Sequence, residues 1–282
     1  MKMPEFTIPL GDKINELFDH LIPVLTPVTK TISNMLSLIL NGFQDFLLLG
    51  PSWLVIILIG ALVWFLAGKR LAIFGVLSLL LMLGFNLWSQ AMATLSLVIV
   101  GTLIALVLGI PLGIWASQNN VVEKTIRPIL DFMQTLPSFV YLIPAVVFFG
   151  LGKVAAVVAT LIFAMPPAIR LTNLGIRQVP GDMIEASKAF GATRTQILLG
   201  VQLPIALPTI MAGVNQCIMM SLSMAVIAAM IGAGGLGGEV LKAMQTVNIG
   251  QGTEAGIGIV VIAILLDRIT EKVTGPRRTL DT

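Results

Sequence analysis

No Asp, Glu, Lys or Arg stands between Arg70 and Glu123, and none between Arg194 and Glu239. Either stretch is far too long for a strand, and long enough for at least one helix to cross a bilayer, which takes ~20 apolar residues. The rest of the chain agrees. Charged residues make up 11% of it and hydrophobic ones 56%, against about a quarter charged in a soluble domain. These features predict an all-α polytopic membrane protein with little soluble mass.

The net charge of +3 is not a nucleic-acid signal, because no basic run carries interleaved aromatics and the charges lie between apolar spans. Cys217 is the only cysteine, so no intrachain disulfide forms. His20 is the only histidine, too few for a zinc site of the usual ligand count. The N-terminus, MKMPEFTIPLGDKINELFDH, has no signal-peptide apolar region. No metal site and no cofactor are expected in this chain.

Gly232, Gly234 and Gly237 fit the spacing G-x-G-x-x-G. That pattern marks a dinucleotide site only after a strand and before a helix in a βαβ unit. Here it follows an apolar run of membrane-helix length, which excludes the nucleotide reading. The segment is expected to turn tightly at the end of that helix. An external gate, a contact for a binding protein and a plain loop remain open. There is no G-x-x-x-x-G-K-[ST] pattern either; Lys69 follows Gly68, but Val63 stands where the first glycine is needed.

Hydropathy divides the chain into seven expected spans, at about 51–68, 71–89, 91–116, 137–152, 154–172, 205–230 and 255–270. Residues 14–49 are mixed, with helical apolar spacing interrupted by Pro23 and Pro27. One or two interfacial amphipathic helices fit that pattern, with an eighth span over 31–49 as the alternative. Cytoplasmic loops are enriched in Lys and Arg. Lys69, Arg70, Lys124, Arg127, Arg170, Arg177, Lys188, Arg194, Arg268, Lys272, Arg277 and Arg278 fall on one side of this topology. Only Lys2, Lys13, Lys30, Lys153 and Lys242 fall on the other. The C-terminus and the 173–204 loop are therefore expected in the cytoplasm, with the N-terminus outside.

That loop is long for a helix connection, and such loops tend to be functional. Pro180-Gly181 breaks the preceding helix. Asp182 and Glu185 have capping-box spacing, Gly191 suits a helix end, and Thr193 with Gln196 repeats the box. Pro204 is tolerated in the first turn of the next span. Two short helices hinged at Gly191 are expected. Ala186, Ser187 and Ala189 permit close approach, and Phe190 supplies an apolar anchor. A docking helix for a partner and an ordinary amphipathic connector on the lipid both fit.

The pattern Glu185-Ala186-Ser187, then Gly191, then Val201-Gln202-Leu203-Pro204 resembles the coupling motif of ABC importer permeases, E-A-A, three residues, G, nine residues, I-x-L-P. Ser187 and Val201 are mild departures. Residues 134–180, the run LPTIMAGVNQCIMMSLSMAVIAAMIGAGGLGGEVL and EAGIGIVVIAILLDRIT are similar to the glycine betaine/proline betaine, Opu-type compatible-solute, branch of that family. The likeness covers roughly residues 90–272. It implies a type I ABC importer permease fold. It also implies docking of Glu185, Ala186, Ser187, Phe190 and Gly191 on a separate ATPase that binds ATP and Mg²⁺. The other partners implied are a second copy of the chain, a second ATPase, an extracellular binding protein and membrane lipids. The organisation expected is an N-terminal segment (1–50), peripheral spans (51–89), a permease core (90–272) with coupling helices at 182–200, and a cytoplasmic tail (273–282), in a bacterial cytoplasmic membrane. An amino acid or another small organic cation is the alternative substrate, and a secondary transporter the alternative class.

No charged residue lies at the middle of an expected span. That argues against proton coupling and suits a path for a solute without net charge. Thr209, Gly213, Gln216, Met220 and Ser223 share one helix face, with Asn215 beside it. This stripe lines a translocation path, or it is a helix–helix seam in which small residues and amides pack. Phe139, Tyr141, Phe148 and Phe149 spread around their helix, so they are expected to pack or face lipid rather than to cage a quaternary ammonium.

Overall fold

The computed structural model describes residues 9–274. Every regular element among them is helical. In chain order these are α1 (Leu10–Leu48), α2 (Ser52–Ala67), α3 (Lys69–Gly84), α4 (Trp88–Gln118), α5 (Asn120–Thr135), α6 (Leu142–Phe149), α7 (Lys153–Arg177), α8 (Gly181–Ala189), α9 (Arg194–Ile197), α10 (Leu203–Ile227), α11 (Gly235–Thr246) and α12 (Ile249–Thr274). The expected tail at 273–282, with Arg277 and Arg278, lies almost wholly outside the described residues, as does Lys2.

The core is α7 packed between α4 and α10. Small residues make this packing close. A Cβ on Gly101 would stand 3.0 Å from Thr160, one on Gly109 3.1 Å from Ala168, and one on Gly113 2.6 Å from Thr172. The contacts advance together along both helices, so α4 and α7 run parallel. Gly175 meets Thr209 and Ala206, whereas Gly213 meets Leu171 and Pro167. The order is reversed there, so α10 runs antiparallel to α7. By the same reasoning α12 is antiparallel to α3: Gly75 faces Leu265, and Gly258 faces Met82.

This register sorts the chain into two ends. The starts of α4 and α7, the end of α10, α11 and the start of α12 share one. The end of α7, α8, the start of α3 and the end of α12 share the other. Lys153 and Lys242 stand at the first, and Lys30 lines a cavity with Phe148 close by. Lys69, Arg70, Arg170, Arg177, Lys188, Arg194, Arg268 and Lys272 gather toward the second, which is the asymmetry the loop charges predicted.

Among the described residues four helical segments are long and apolar enough to span alone: Trp88–Gln118, Lys153–Arg177, Arg194–Ile231 and Ile249–Lys272. The number rises to six if each of two bent helix pairs counts as one span. The seven stretches picked out by hydropathy differ from this in three places. α2 and α3 have 16 residues each, about 24 Å of helix against a hydrocarbon core of ~30 Å. The stretch 137–152 is a 3₁₀ turn (Ser138–Tyr141) followed by eight-residue α6, bent by 109° from α5.

Pro23 and Pro27 do not break the N-terminal segment. α1 is one helix of 39 residues with both prolines inside it. Each proline frees the carbonyl four residues back, those of Asp19 and Pro23, and both residues are exposed, so solvent or headgroups can serve them. α1 packs through its later turns: Ser96 Oγ donates to the Leu40 carbonyl, and Lys153 Nζ to Gln44 Oε1 at 2.6 Å.

Candidate functional site: an exposed helix joined to a membrane helix

α8 follows Pro180, whose extended backbone is what a residue at a helix entrance requires. The Asp182–Glu185 capping box is not formed. The helix starts at Gly181 with no side-chain cap, which places Asp182 inside the first turn, where a carboxylate still favours the positive end of the helix dipole. The other end is as expected. Gly191 has φ +80°. Its N–H donates to the Lys188 carbonyl, and the Ala192 N–H to Ser187, the paired bonds of a Schellman stop.

No residue of α8 is buried. Glu185 and Ala186 are exposed, and Ser187 turns its hydroxyl onto the Met183 carbonyl of its own helix. Phe190 is 92% exposed. Its ring stands open beside a helix of small residues.

Beyond Gly191 the Thr193–Gln196 box forms on both sides. The helix it starts is not a separate short one. α9 passes through a π turn (Leu198–Gln202) into α10, and Arg194 to Ile231 is one continuous segment. Ile197 is buried, and the next residue, Leu198, packs against the cluster of Ile176, Ala206 and Ile210. Four residues, Phe190 to Thr193, join α8 to the foot of that long helix.

Just before α8 stands a fixed point that sequence reasoning missed as a site. Arg177 Nε donates to Asn173 Oδ1 and Nη1 to Asn120 Oδ1, both at 2.9 Å, and Nη2 donates to the Ala116 carbonyl at 2.8 Å. Glu123 lies 3.7 Å away. One guanidinium thus binds the ends of α4, α5 and α7. The Asn173–Arg177 spacing of four was visible; the other partners come from distant elements.

The candidate path stripe divides. Thr209 and Gly213 face α7 through the close approaches at Gly175 and Leu171. Met220 packs with Ala105, Ala164 and Cys217; Cys217 is a free, buried thiol. Gln216 and Ser223 are open. The face that α10 leaves uncovered runs Pro208, Ala212, Gln216, Met219, Ser223, about one residue round from the expected stripe. Asn215 turns away from it, donating from Nδ2 to Asp267 Oδ1 of α12 at 2.8 Å. Asn215 Oδ1 is buried with no hydrogen-bond partner among the described residues.

The glycine segment is packed in place. Gly232 and Gly234 have positive φ, and α11 starts at Gly235, also positive. A Cβ on Gly235 would stand 2.5 Å from Thr94 Oγ1, and one on Gly237 2.8 Å from the Val226 backbone. The buried Leu236 N–H donates to Thr94 Oγ1 at 2.8 Å. The aromatic residues form no cage. Tyr141 donates to the Met133 carbonyl and packs on Phe163, Phe148 packs on Phe18, and Phe139 is exposed.

Comparison with known proteins adds three findings. The profile of the family described as binding-protein-dependent transport system inner membrane component matches residues 109–271. The chain is 48% identical over 266 residues to the glycine betaine transport system permease protein OpuAB of Bacillus subtilis, covering 94% of each. It is 50% identical to the glycine betaine/carnitine transport permease protein GbuB of Listeria monocytogenes, over 94% of this chain and 95% of that one. It is 48% identical to the glycine betaine/proline betaine transport system permease protein ProW of Escherichia coli, over 94% of this chain and 75% of that one. Among solved structures, a chain of the MetNI methionine ABC transporter superposes with TM-score 0.58 at 27% identity, over 64% of this chain and 93% of that one.

Proposed function

The chain belongs to the family of binding-protein-dependent transport system inner membrane components, and on that premise we propose that it is the membrane path of an ATP-driven importer of glycine betaine and related compatible solutes. Relatives named for glycine betaine transport, matched over most of their length, support the substrate class.

The observation that carries the mechanism is the solvent-exposed α8 hinged at Gly191 onto the helix that runs unbroken to Ile231. α8 docks in a groove of a cytoplasmic ATPase subunit, with Phe190 as anchor and Ala186 and Ser187 allowing close approach. Glu185 and Gly191 set the helix and its end. ATP and Mg²⁺ bind in that partner. When two ATPases close, α8 moves with them, and the Arg194–Ile231 helix pivots against the end of α7, where Gly175 and Ile176 meet Ala206. A second copy of the chain faces the open side of α10, so that Gln216 and Ser223 border a path between protomers, with Thr209, Asn215 and Met220 holding its wall. A binding protein delivers solute at the end that carries α11. The α8 end lies in the cytoplasm, with the N-terminus outside.

The test is ATP-dependent uptake of labelled glycine betaine by the reconstituted complex, wild type beside Gly191→Arg. A Cβ at Gly191 meets nothing within 4 Å, so the substitution spares the membrane core and strikes the hinge and docking face. Uptake in wild type and none in a variant of normal abundance is the expected result. Uptake that persists without the ATPase would overturn the proposal in favour of a secondary transporter.

A further inference from the structure

We propose that the cleft between the α2–α3 turn and the end of α12 binds the headgroup of an anionic phospholipid. The cleft has a volume of about 650 Å³, and Lys69, Arg70, Arg268 and Lys272 line it with one carboxylate, Glu271.

The fold forces these cations together. Gly68, at φ +91°, is the single residue between α2 and α3. Gly60 lies against Val76, eight residues either side of the turn, so the two helices close as a hairpin. The antiparallel register of α3 with α12 then brings the basic start of one beside the basic end of the other. Arg268 is partly answered by Glu271 at 2.7 Å and Asp267 at 3.9 Å. Lys69, Arg70 and Lys272 have no ion pair or hydrogen bond among the described residues. Lys69 and Arg70 also occupy the first turn of α3, which holds no acidic residue and where the helix dipole disfavours cations. The cleft thus sets four cations against one lining carboxylate, which is already engaged with Arg268.

Its surroundings say where the balancing charge comes from. Trp64 is 64% exposed and Phe65 89% exposed, one turn before Gly68, and aromatic side chains turned outward at a span end mark the headgroup level. Leading away from the cations, Ile73, Leu77 and Leu80 are exposed on α3 at the spacing of one helix face, a track for an acyl chain. Basic clefts between membrane helices on one side of a bilayer hold acidic headgroups in this way. The smaller basic cavity between α5 and α7 differs, because Arg170 there is already bound to Asp131 and Arg177 to its four neighbours.

The experiment is native mass spectrometry of the purified full-length chain equilibrated with equal phosphatidylglycerol and phosphatidylcholine. Wild type is expected to retain phosphatidylglycerol preferentially. The preference should fall about fivefold for each cation removed in Lys69→Gln, Arg70→Gln and Lys272→Gln, and survive Lys69→Arg with Lys272→Arg. Equal retention of the two lipids by wild type, or a preference untouched by the three Gln changes, overturns the proposal. Binding of glycerol 3-phosphate as tight as that of phosphatidylglycerol overturns it in favour of a free phosphate. Loss of ATPase-subunit binding with unchanged lipid retention overturns it in favour of a protein contact. A second measurement leaves the cations intact. In phosphatidylcholine vesicles, dibrominated phosphatidylglycerol should quench the Trp64-dependent emission (wild type minus Trp64→Phe) more than dibrominated phosphatidylcholine at the same mole fraction, and equal quenching again overturns the assignment.

Discussion

Gly113→Ala is a direct test of the parallel α4–α7 seam on which the core rests. The added Cβ would stand 2.6 Å from Thr172 Cβ and 2.7 Å from the Ile169 carbonyl oxygen. Ordinary contact starts at 3.4 Å, and a helix carbonyl cannot rotate aside. The two helices must therefore part by roughly 0.7 Å, a strain of the overpacking kind that costs ~1–3 kcal/mol. Replacing glycine inside a helix returns ~0.5–1 kcal/mol, which leaves a net loss of ~1 kcal/mol at the middle of the two ranges and at most ~2.5 kcal/mol. Two controls grade the effect. Gly109→Ala meets Ala168 Cβ at 3.1 Å and the flexible Met165 side chain at 3.2 Å, and should cost less than ~1 kcal/mol. Gly256→Ala meets nothing within 4 Å and should be neutral or stabilising by up to ~1 kcal/mol. The assay is the thermal midpoint of the purified protein in one detergent, followed by loss of the monodisperse chromatographic peak. At ~2–4 °C per kcal/mol for a chain of this order of size, Gly113→Ala should fall by roughly 2–4 °C and by no more than about 10 °C. Equal midpoints for the three variants, or Gly113→Ala as the most stable, would refute the parallel seam.

Three further outcomes are expected. Thr94→Val keeps the shape of a residue 4% exposed but leaves the Leu236 N–H without its acceptor; it should cost ~1–3 kcal/mol, read as a lower thermal midpoint, and an unchanged midpoint counts against the packed α11. Val247 is a β-branched residue at φ +53° and 82% exposed, so Val247→Gly should stabilise by ~1 kcal/mol in the same assay, and a loss of stability would mean the side chain has a partner. Gln216→Cys should react with a charged, water-soluble thiol reagent in membranes while native Cys217, buried in the α4–α7–α10 core, stays silent; an unreactive Gln216→Cys would place that face in lipid or in a dry seam.

The membrane class and the helix ends around Gly191 and Thr193 were legible in the sequence because each rests on a local property. The uncharged runs between Arg70 and Glu123 and between Arg194 and Glu239 have no stable home in water, whatever they pack against. The stop at Gly191 and the Thr193–Gln196 box depend on residues within one turn of each other, and both formed as their spacing indicates. The Asp182–Glu185 box did not. Pro180 caps the helix two residues earlier than the side-chain pattern implies, which carries Asp182 past the capping position into the first turn.

What only the tertiary structure decided are the relations between elements. A helix turns 100° per residue, so the sequence could place Thr209, Gly213, Gln216, Met220 and Ser223 on one stripe without knowing how that stripe was rotated. The close approaches at Gly175 and Leu171 settle it, covering Thr209 and Gly213 and leaving Gln216 and Ser223 open. Pro23 and Pro27 read as breaks, yet α1 runs through them because the carbonyls they free are exposed. The anchor at Arg177 and the basic cleft at Lys69, Arg70, Arg268 and Lys272 join residues far apart in the chain. Beyond the Asn173–Arg177 spacing no local pattern signals them, since what makes each a site is the register in which α4, α5 and α7, or α3 and α12, come to lie side by side.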